Sequence, residues 1–435
     1  MAIRTADAVS RGQTISRGAR RYALGLLVVV YTFNFIDRQI LAILLPAIKI
    51  EFAVDDRVLG FLAGSAFALF YATLGIPIAM IADRSNRRNL IALALVVWSG
   101  MTALSGFAIN IVHLVLARIG VGVGEAGCSP PAHSMIADYF PPAQRSTAMG
   151  IFTLGISFGI MIAYLAGGWV VENIGWREAF LIVGLPGLAL AVLVRFTIIE
   201  PQRGASENRV DSGDRPSVLK VARFLARRKS FLHMAIGSGL ASFLGYAIIS
   251  FYPSFLVRSF SMSLSSIGIY LGLILGIAGG LGFAGGGYVA DKVGRRSTRY
   301  SFHVIVAALL LAWILYFPIF FASSGILSLS FFIIPAVFSN FYLATTFAQT
   351  QNLVPLRMRA VASALILFVL NSIGLGFGPL LAGVLSDYLA AGYGSESMRY
   401  SLLIIGAVIG PWAAFHYFMA GKHIEHDLAR VDEVL

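Results

Sequence analysis

The chain has 435 residues, of which 58% are hydrophobic and only 12% charged, with a mean hydropathy of +0.81. Soluble domains carry about 25% charged residues, so this composition excludes a soluble enzyme and describes a polytopic membrane protein. The formal net charge of +12 would suggest nucleic acid on a soluble chain; here the basic residues lie in short loops with few aromatics between them, and no nucleic-acid partner is expected.

Residues 1–21 are polar and basic (Arg4, Arg11, Arg17, Arg20, Arg21) and run straight into a long apolar segment. They read as a cytoplasmic tail rather than a cleaved signal. Apolar runs bounded by loop signals then predict six helices at 22–50, 57–81, 90–110, 112–137, 144–170 and 176–198. A polar segment, 199–230, ends in Arg227-Arg228-Lys229 and reads as a cytoplasmic linker, with a short amphipathic piece near Val218–Phe224. Six further helices are predicted at 231–257, 264–290, 300–322, 325–351, 360–389 and 398–420, and residues 421–435 form a second cytoplasmic tail. The expected architecture is all-α, with 12 transmembrane helices in two six-helix bundles, 22–198 and 231–420.

Charge sets the expected orientation. Arg38 and Arg118 fall within spans, and Lys49, Arg57, Arg177, Arg258 and Arg399 fall on one face; the remaining 26 of 33 Lys and Arg fall on the other. By the positive-inside rule that face is cytoplasmic, with both termini on it.

Span 1 contains Phe35-Ile36-Asp37-Arg38, an acid and a base about 15 residues into an apolar run. At a rise of about 1.5 Å per residue they lie near mid-membrane, where a charge costs at least ~2.5–3.5 kcal/mol. Span 4 adds Arg118 and Glu125, seven residues apart and hence on one helix face. Two acids and two bases in apolar helices need one another, so a cluster between spans 1 and 4 is expected. Asp37 and Arg38 point about 100° apart, and either one can face the cavity. Arginine does not deprotonate, so Asp37 and Glu125 are the candidate proton carriers, with Arg38 and Arg118 as their exchangeable partners.

Other features carry less. Gly122-Val-Gly124-Glu125-Ala-Gly127 matches a dinucleotide fingerprint, but inside a membrane span its glycines serve close helix approach. Ser129-Pro130-Pro131 predicts a kink just beyond Glu125, as a gate or as plain curvature. Cys128 is the sole cysteine and excludes an intramolecular disulfide. The second half has no intramembrane charge; its polar candidates are Ser339, Asn340, Tyr342, Thr345, Thr346, Gln349 and Asn371, read mainly as helix-packing hydrogen bonds. Phe33, Phe35, Phe67, Phe70 and Tyr71 are expected near a cavity, which with Arg38 and Arg118 suits an amphiphile with an anionic or zwitterionic head. No nucleophile triad, metal-ligand spacing or phosphate loop stands in a credible context. No enzyme activity, metal or cofactor is expected, only a proton gradient, and the expected partners are membrane lipids, protons and a small or lipid-like solute.

The halves repeat. Asp83-Arg84-Ser-Asn86-Arg87-Arg88 follows span 2, and Gly287-Tyr-Val-Ala-Asp291-Lys292-Val-Gly294-Arg295-Arg296 follows span 8, with the two Asp 208 residues apart. Pro141-Pro-Ala-Gln-Arg145 matches Pro355-Leu-Arg-Met-Arg359 at an offset of 214. The loop pattern resembles the signature of the major facilitator superfamily; its second copy is complete, and its first has Ala79 and Asn86 where glycines belong. That resemblance implies a cytoplasmic gate made by Asp83, Arg84, Arg88, Asp291, Lys292 and Arg296, with Arg145 and Arg359 as partners in the opposite half, and a monomer. Phe-Asn-Phe-Ile-Asp37-Arg38-Gln-Ile-Leu-Ala and Ala-Arg118-Ile-Gly-Val-Gly-Val-Gly-Glu125-Ala are similar to the spinster family. This implies a proton-coupled secondary transporter of a lysolipid or sphingoid phosphate in the plasma membrane, with Asp37 and Glu125 coupling protons. A transporter of a small organic anion, and a scramblase or passive channel, are the alternatives.

Overall fold

The computed structural model describes residues 15–82, 85–203, 217–355 and 358–430. Every regular element among them is helical, as a chain that cannot offer backbone polar groups to lipid requires. Span 1 is Arg17–Phe52, capped by Ser16, whose Oγ accepts from the Ala19 N–H at 3.2 Å. Span 2 runs through Asp56–Gly60, Phe61–Ser65 and Ala66–Ala82, span 3 is Arg87–Ser105, and span 4 is Ile111–Glu125 with Ser129–Tyr139. Spans 5 and 6 are Pro142–Asn173 and Trp176–Thr197. The linker holds an amphipathic helix, Val218–Ala226.

The second half repeats this order: span 7 is Lys229–Phe260 and span 8 runs from Leu264–Leu273 through Ile274–Ala278 to Gly279–Gly294. Span 9 is Thr298–Phe321, and span 10 is Gly325–Phe338 with Tyr342–Asn352. Span 11 joins Arg359–Val369, Leu370–Phe377 and Gly378–Tyr393, and span 12 is Ser397–Ala429. Eleven stretches are long and apolar enough to cross a bilayer, but one of them, Val361–Ala429, has 69 residues. A helix of that length would be about 100 Å long against a core of about 30 Å; the chain folds back at Gly394, whose φ is 53°, and so makes two spans. Span 12 carries its helix to Ala429, past the expected end at 420, and span 1 begins at Arg17, inside the expected tail.

The outside of the bundle is apolar. Leu69, Leu93, Phe107, Leu116, Val192, Phe196, Ile314 and Val408 are all exposed, which suits lipid and would be an aggregation hazard in water.

The internal repeat is built into the backbone. Spans 1 and 7 both end on a non-glycine residue in the left-handed region, Ala53 at φ 48° and Ser261 at φ 51°, 208 residues apart in sequence. That conformation costs roughly 1–2 kcal/mol for an L-residue and recurs at the same place in both halves. Span 4 breaks between Glu125 and Ser129, and span 10 between Phe338 and Tyr342.

The core divides unevenly. One apolar cluster joins the halves: Leu41–Leu45, Ile48, Leu59 and Leu62 of the first pack with Phe251, Tyr252, Phe255, Ile267 and Leu271 of the second. It lies toward the face opposite the linker. Toward the linker face there are two separate cores, one made of first-half residues with Leu375, the other of linker-helix and second-half residues. The halves are therefore fused at one face and individually packed at the other.

Candidate functional site: a buried charge cluster and the closed face beyond it

The structure brings Asp37, Arg38, Arg118 and Glu125 together between spans 1 and 4. Arg38 turns toward Glu125 and toward the second half. Its Nη2 lies 2.6 Å and its Nε 3.1 Å from Glu125 Oε2. Three rings surround the guanidinium: its Cζ is 4.9 Å from the Phe35 and Phe67 centroids and 4.7 Å from that of Tyr71. Such contacts are worth ~2 kcal/mol when desolvated. Phe67 also faces Arg118, at 5.3 Å, and so sits between two cations. Tyr246 of span 7 approaches Arg38 from the other half.

Asp37 points the other way, toward Trp98 and Thr102 of span 3. It is fully buried, and neither carboxylate oxygen has a hydrogen-bond partner. Arg118 Nη1 donates to the Asp37 backbone carbonyl at 3.1 Å rather than to a carboxylate, and its Nε is unpaired. Glu125 Oε1 and both amide atoms of Asn34 are also buried without partners. The cluster thus holds one formed ion pair, Arg38–Glu125, beside an acid and a base, Asp37 and Arg118, whose side chains are not joined by a salt bridge.

Span 4 reaches this position because of its glycines. A methyl group at Gly122 would sit 2.6 Å from the Phe67 carbonyl oxygen, and one at Gly124 would sit 2.6 Å from the Trp98 backbone nitrogen. The helix ends at Glu125 and restarts at Ser129 with Pro130 and Pro131 in its first turn, so the expected kink directly follows the acid.

Of the aromatics expected near the cavity, Phe35, Phe67 and Tyr71 contact Arg38. Phe33 instead lines a small apolar groove with Ile162, Ala166 and Ile182 of spans 5 and 6, because it lies two residues, or about 200°, from Phe35. Phe70 is half-buried outside the cage. Tyr31, which packs on Phe152 at 4.2 Å, and Tyr246 were missed, since a single Tyr in an apolar helix gives no signal of its own. In the second half Asn340, Thr346 and Asn371 donate to carbonyls four residues back in their own helices, as packing hydrogen bonds do.

Among the described residues, no hydrogen bond or ion pair joins the loop residues expected to gate the linker face from one half to the other. Asp83 and Arg84 lie outside the described residues. Arg88 binds Glu200 through its backbone and Ile198 through its side chain, and Arg145 donates to Ala137 at 3.0 Å; these bonds stay within the first half. Asp291, Lys292 and Arg296 are exposed and form no ion pair among the described residues. Arg359 is half-buried with its Nε unpartnered. The physical reason is the separation of the two cores at this face. Arg87, absent from the expected set, is the buried hub there, binding Asp138, Ser134, Glu200 and the Pro201 carbonyl.

The opposite face holds the contacts that the sequence did not reveal. Asp56, at the start of span 2, is buried; its oxygens accept from Lys49 Nζ at 2.5 Å, from both Nη atoms of Arg258 at 2.6 and 2.5 Å, and from Ser386 Oγ at 2.7 Å. Asp387 of span 11 accepts the backbone N–H groups of Asp56 and Arg57 at 2.9 and 2.8 Å, so a carboxylate of one half caps a helix of the other. Glu172 of span 5 does the same for span 8 through the Ser265 N–H at 2.7 Å. A carboxylate at a helix N-terminus satisfies orphan donors and complements the helix dipole. Beneath each cap the helices touch at glycine: any side chain at Gly60 would meet the Pro379 backbone, and any at Gly268 the Tyr164 and Gly168 backbones. Tyr164 Oη adds a bond to the Ile249 carbonyl at 2.6 Å, again between halves.

A model described as the Major Facilitator Superfamily matches residues 27–379. The chain belongs to that superfamily. An "MFS-type efflux pump" of Mycolicibacterium smegmatis is 32% identical over 93% of this chain and 94% of its own length, and a "Hexuronate transporter" of Bacillus subtilis is 24% identical over 88% and 93%. A crystal structure titled as a bacterial homolog to the human lysosomal transporter Spinster, in an inward-facing and unoccupied conformation, superposes with a TM-score of 0.86 at 30% identity and covers 95% of this chain and 99% of that one. This member of the superfamily is therefore a multi-pass secondary transporter, similar to spinster proteins over nearly its whole length.

Proposed function

We propose that the chain couples movement of an amphiphilic, lipid-like solute to a proton gradient by alternating access. It sits in the plasma membrane with both termini and the linker in the cytoplasm, where 26 of the 33 Lys and Arg lie. The observation that carries this reading is Asp37. A fully buried carboxyl with neither oxygen bonded is a costly fixture if it stays charged and a proton carrier if it does not. As a neutral acid it donates to nearby oxygens and releases Arg118 from electrostatic demand. As a carboxylate it draws Arg118 off the Asp37 carbonyl. Because Arg118 and Arg38 both face Glu125 and Phe67, that move changes what Arg38 offers to a ligand.

Arg38 in its cage of Phe35, Phe67 and Tyr71 suits a charged head beside an apolar tail. The fused core at one face and the split cores at the other match an inward-facing state, the state named for the similar spinster homolog. The cytoplasmic gate of Asp83, Arg84, Arg88, Arg145, Asp291, Lys292, Arg296 and Arg359 would assemble when that face closes.

The test is flux in proteoliposomes carrying a labelled lysolipid or sphingoid phosphate under an imposed pH gradient. Wild type moves the label in proportion to the gradient, and Asp37→Asn, folded and monodisperse, does not. Flux that ignores the gradient in wild type would make the protein a scramblase or passive channel. Gradient-driven uptake of a uronate with no lipid movement would favour the organic-anion reading. That reading is supported by the hexuronate transporter among the relatives and by the suitability of an Arg for a carboxylate.

A further inference from the structure

Away from the central cluster, the linker face carries a cavity of about 470 Å³ that neither the charge cluster nor either gate uses. Its walls are the linker helix Val218–Ala226, the start of span 7, Met358 before span 11 and Arg430 after span 12. Lys220, Arg223, Arg227 and Arg228 line it, and no Asp or Glu does among the described residues. These four form no ion pair there. Asp427, one turn of helix before Arg430, is committed to the Ser230 N–H and Oγ at 2.8 and 2.7 Å, capping span 7.

The cavity is built. Lys220, Arg223 and Arg227 are spaced three and four residues apart, which puts them in one stripe on the helix. The other face of that helix, Val221, Phe224 and Leu225, is buried in the second-half core, so the stripe cannot roll away. Arg228 is only 6% exposed. Its guanidinium lies 4.9 Å from the Phe224 ring and donates through Nη2 to the Arg430 carbonyl at 2.6 Å. Its Nε is buried with no partner. A buried guanidinium held by stacking, in the wall of a cavity lined by four cations and by no acid among the described residues, suits an anion.

We infer that this cavity binds a phosphate-bearing anion. Two sources share that chemistry, the headgroup of an anionic phospholipid and a soluble phosphate. The cavity's position at the end of the spans, behind an amphipathic helix with Leu219 exposed, gives a lipid access from the bilayer. The inference does not depend on the proton-coupled reading, because it involves none of the same residues.

The experiment is a thermal-unfolding titration of the purified full-length protein in detergent. The additions are phosphatidylglycerol, phosphatidylcholine, and inorganic phosphate with glycerol phosphate at matched ionic strength. The variants are Arg223→Gln/Arg227→Gln and, as a control removing equal charge from the same face, Arg17→Gln/Arg21→Gln. Native mass spectrometry counts retained lipid in each. Saturable stabilisation by phosphatidylglycerol and not phosphatidylcholine, weakened roughly 30-fold in the first variant at about 1 kcal/mol per cation and unchanged in the control, establishes a lipid site. The same pattern with inorganic or glycerol phosphate alone establishes a soluble-anion site. No saturable effect of any anion, or equal weakening in both variants, overturns the inference. Arg228→Gln is a second probe, read by retained lipid if it folds.

Discussion

Two buried aspartates, Asp37 and Asp56, differ in how the fold meets their charge. Asp56 is 2% exposed and answered in full: a lysine, both ends of an arginine fork and a serine converge on it. Asp37 is 0% exposed; Trp98, Thr102 and Arg118 face it, but neither of its carboxylate oxygens is within a formed hydrogen bond. A satisfied buried ion pair fixes a geometry, and removing one partner leaves stranded charge. An unsatisfied acid is cheap to neutralise and so is free to change state. Burial is common to both carboxylates; the count of their partners is what sets them apart.

That contrast can be broken at several points. The largest expected effect is on flux. Asp37→Asn abolishes gradient-driven transport yet leaves the unfolding temperature close to wild type, since no ion pair to its carboxylate is broken and an amide fills the same volume. Glu125→Gln abolishes flux too, but also destabilises, because it strands Arg38; parallel flux and unfolding measurements separate the two.

Asp56→Ala has the reverse profile. It removes up to about 3 kcal/mol by leaving Arg258 and Lys49 unpaired, and it raises the accessibility of cysteines introduced near Ser65 to a membrane-impermeant reagent added outside. An unchanged labelling rate would mean that the Asp56 cluster does not hold that face shut.

Gly268→Val is next, at about 1–3 kcal/mol from overpacking against span 5, with outward-face labelling again increased. The smallest effects belong to the interhelical caps. Asp387→Ala and Glu172→Ala should each cost about 0.5–2 kcal/mol and, being counterparts in the two halves, should open the outer face to similar extents. A large difference between them would show that the two caps do not share the work.

Much of this was legible in the chain. Twelve spans and the meeting of Asp37, Arg38, Arg118 and Glu125 followed from apolar run lengths and from the cost of intramembrane charge. Which way Asp37 and Arg38 turn was not, because helix rotation is set by packing against spans 2 and 3 and both answers obey the same period. The closed face was missed although its signal was present. Gly60 and Gly268, and Arg57 and Ser265, stand 208 residues apart, and Glu172 and Asp387 stand 215 apart, offsets matching the loop motifs within a residue. Read one at a time these are a glycine in a helix and an acid near a loop. Only their repetition at a common offset marks them as one device made twice. Lys49 and Arg258 were read for topology alone, since a positive charge near a membrane surface has an ordinary explanation that hides a specific one.

The break in span 4 has a practical corollary. Its last residue, Cys128, is the chain's only thiol and is fully buried. Wild-type protein is therefore its own single-site chemical reporter. The rate at which a small alkylating agent consumes that sulfur equals the fraction of time the break is unpacked times the rate at which the agent attacks an exposed thiol. Timed with and without solute, it clocks the transport cycle from within, with no engineered label.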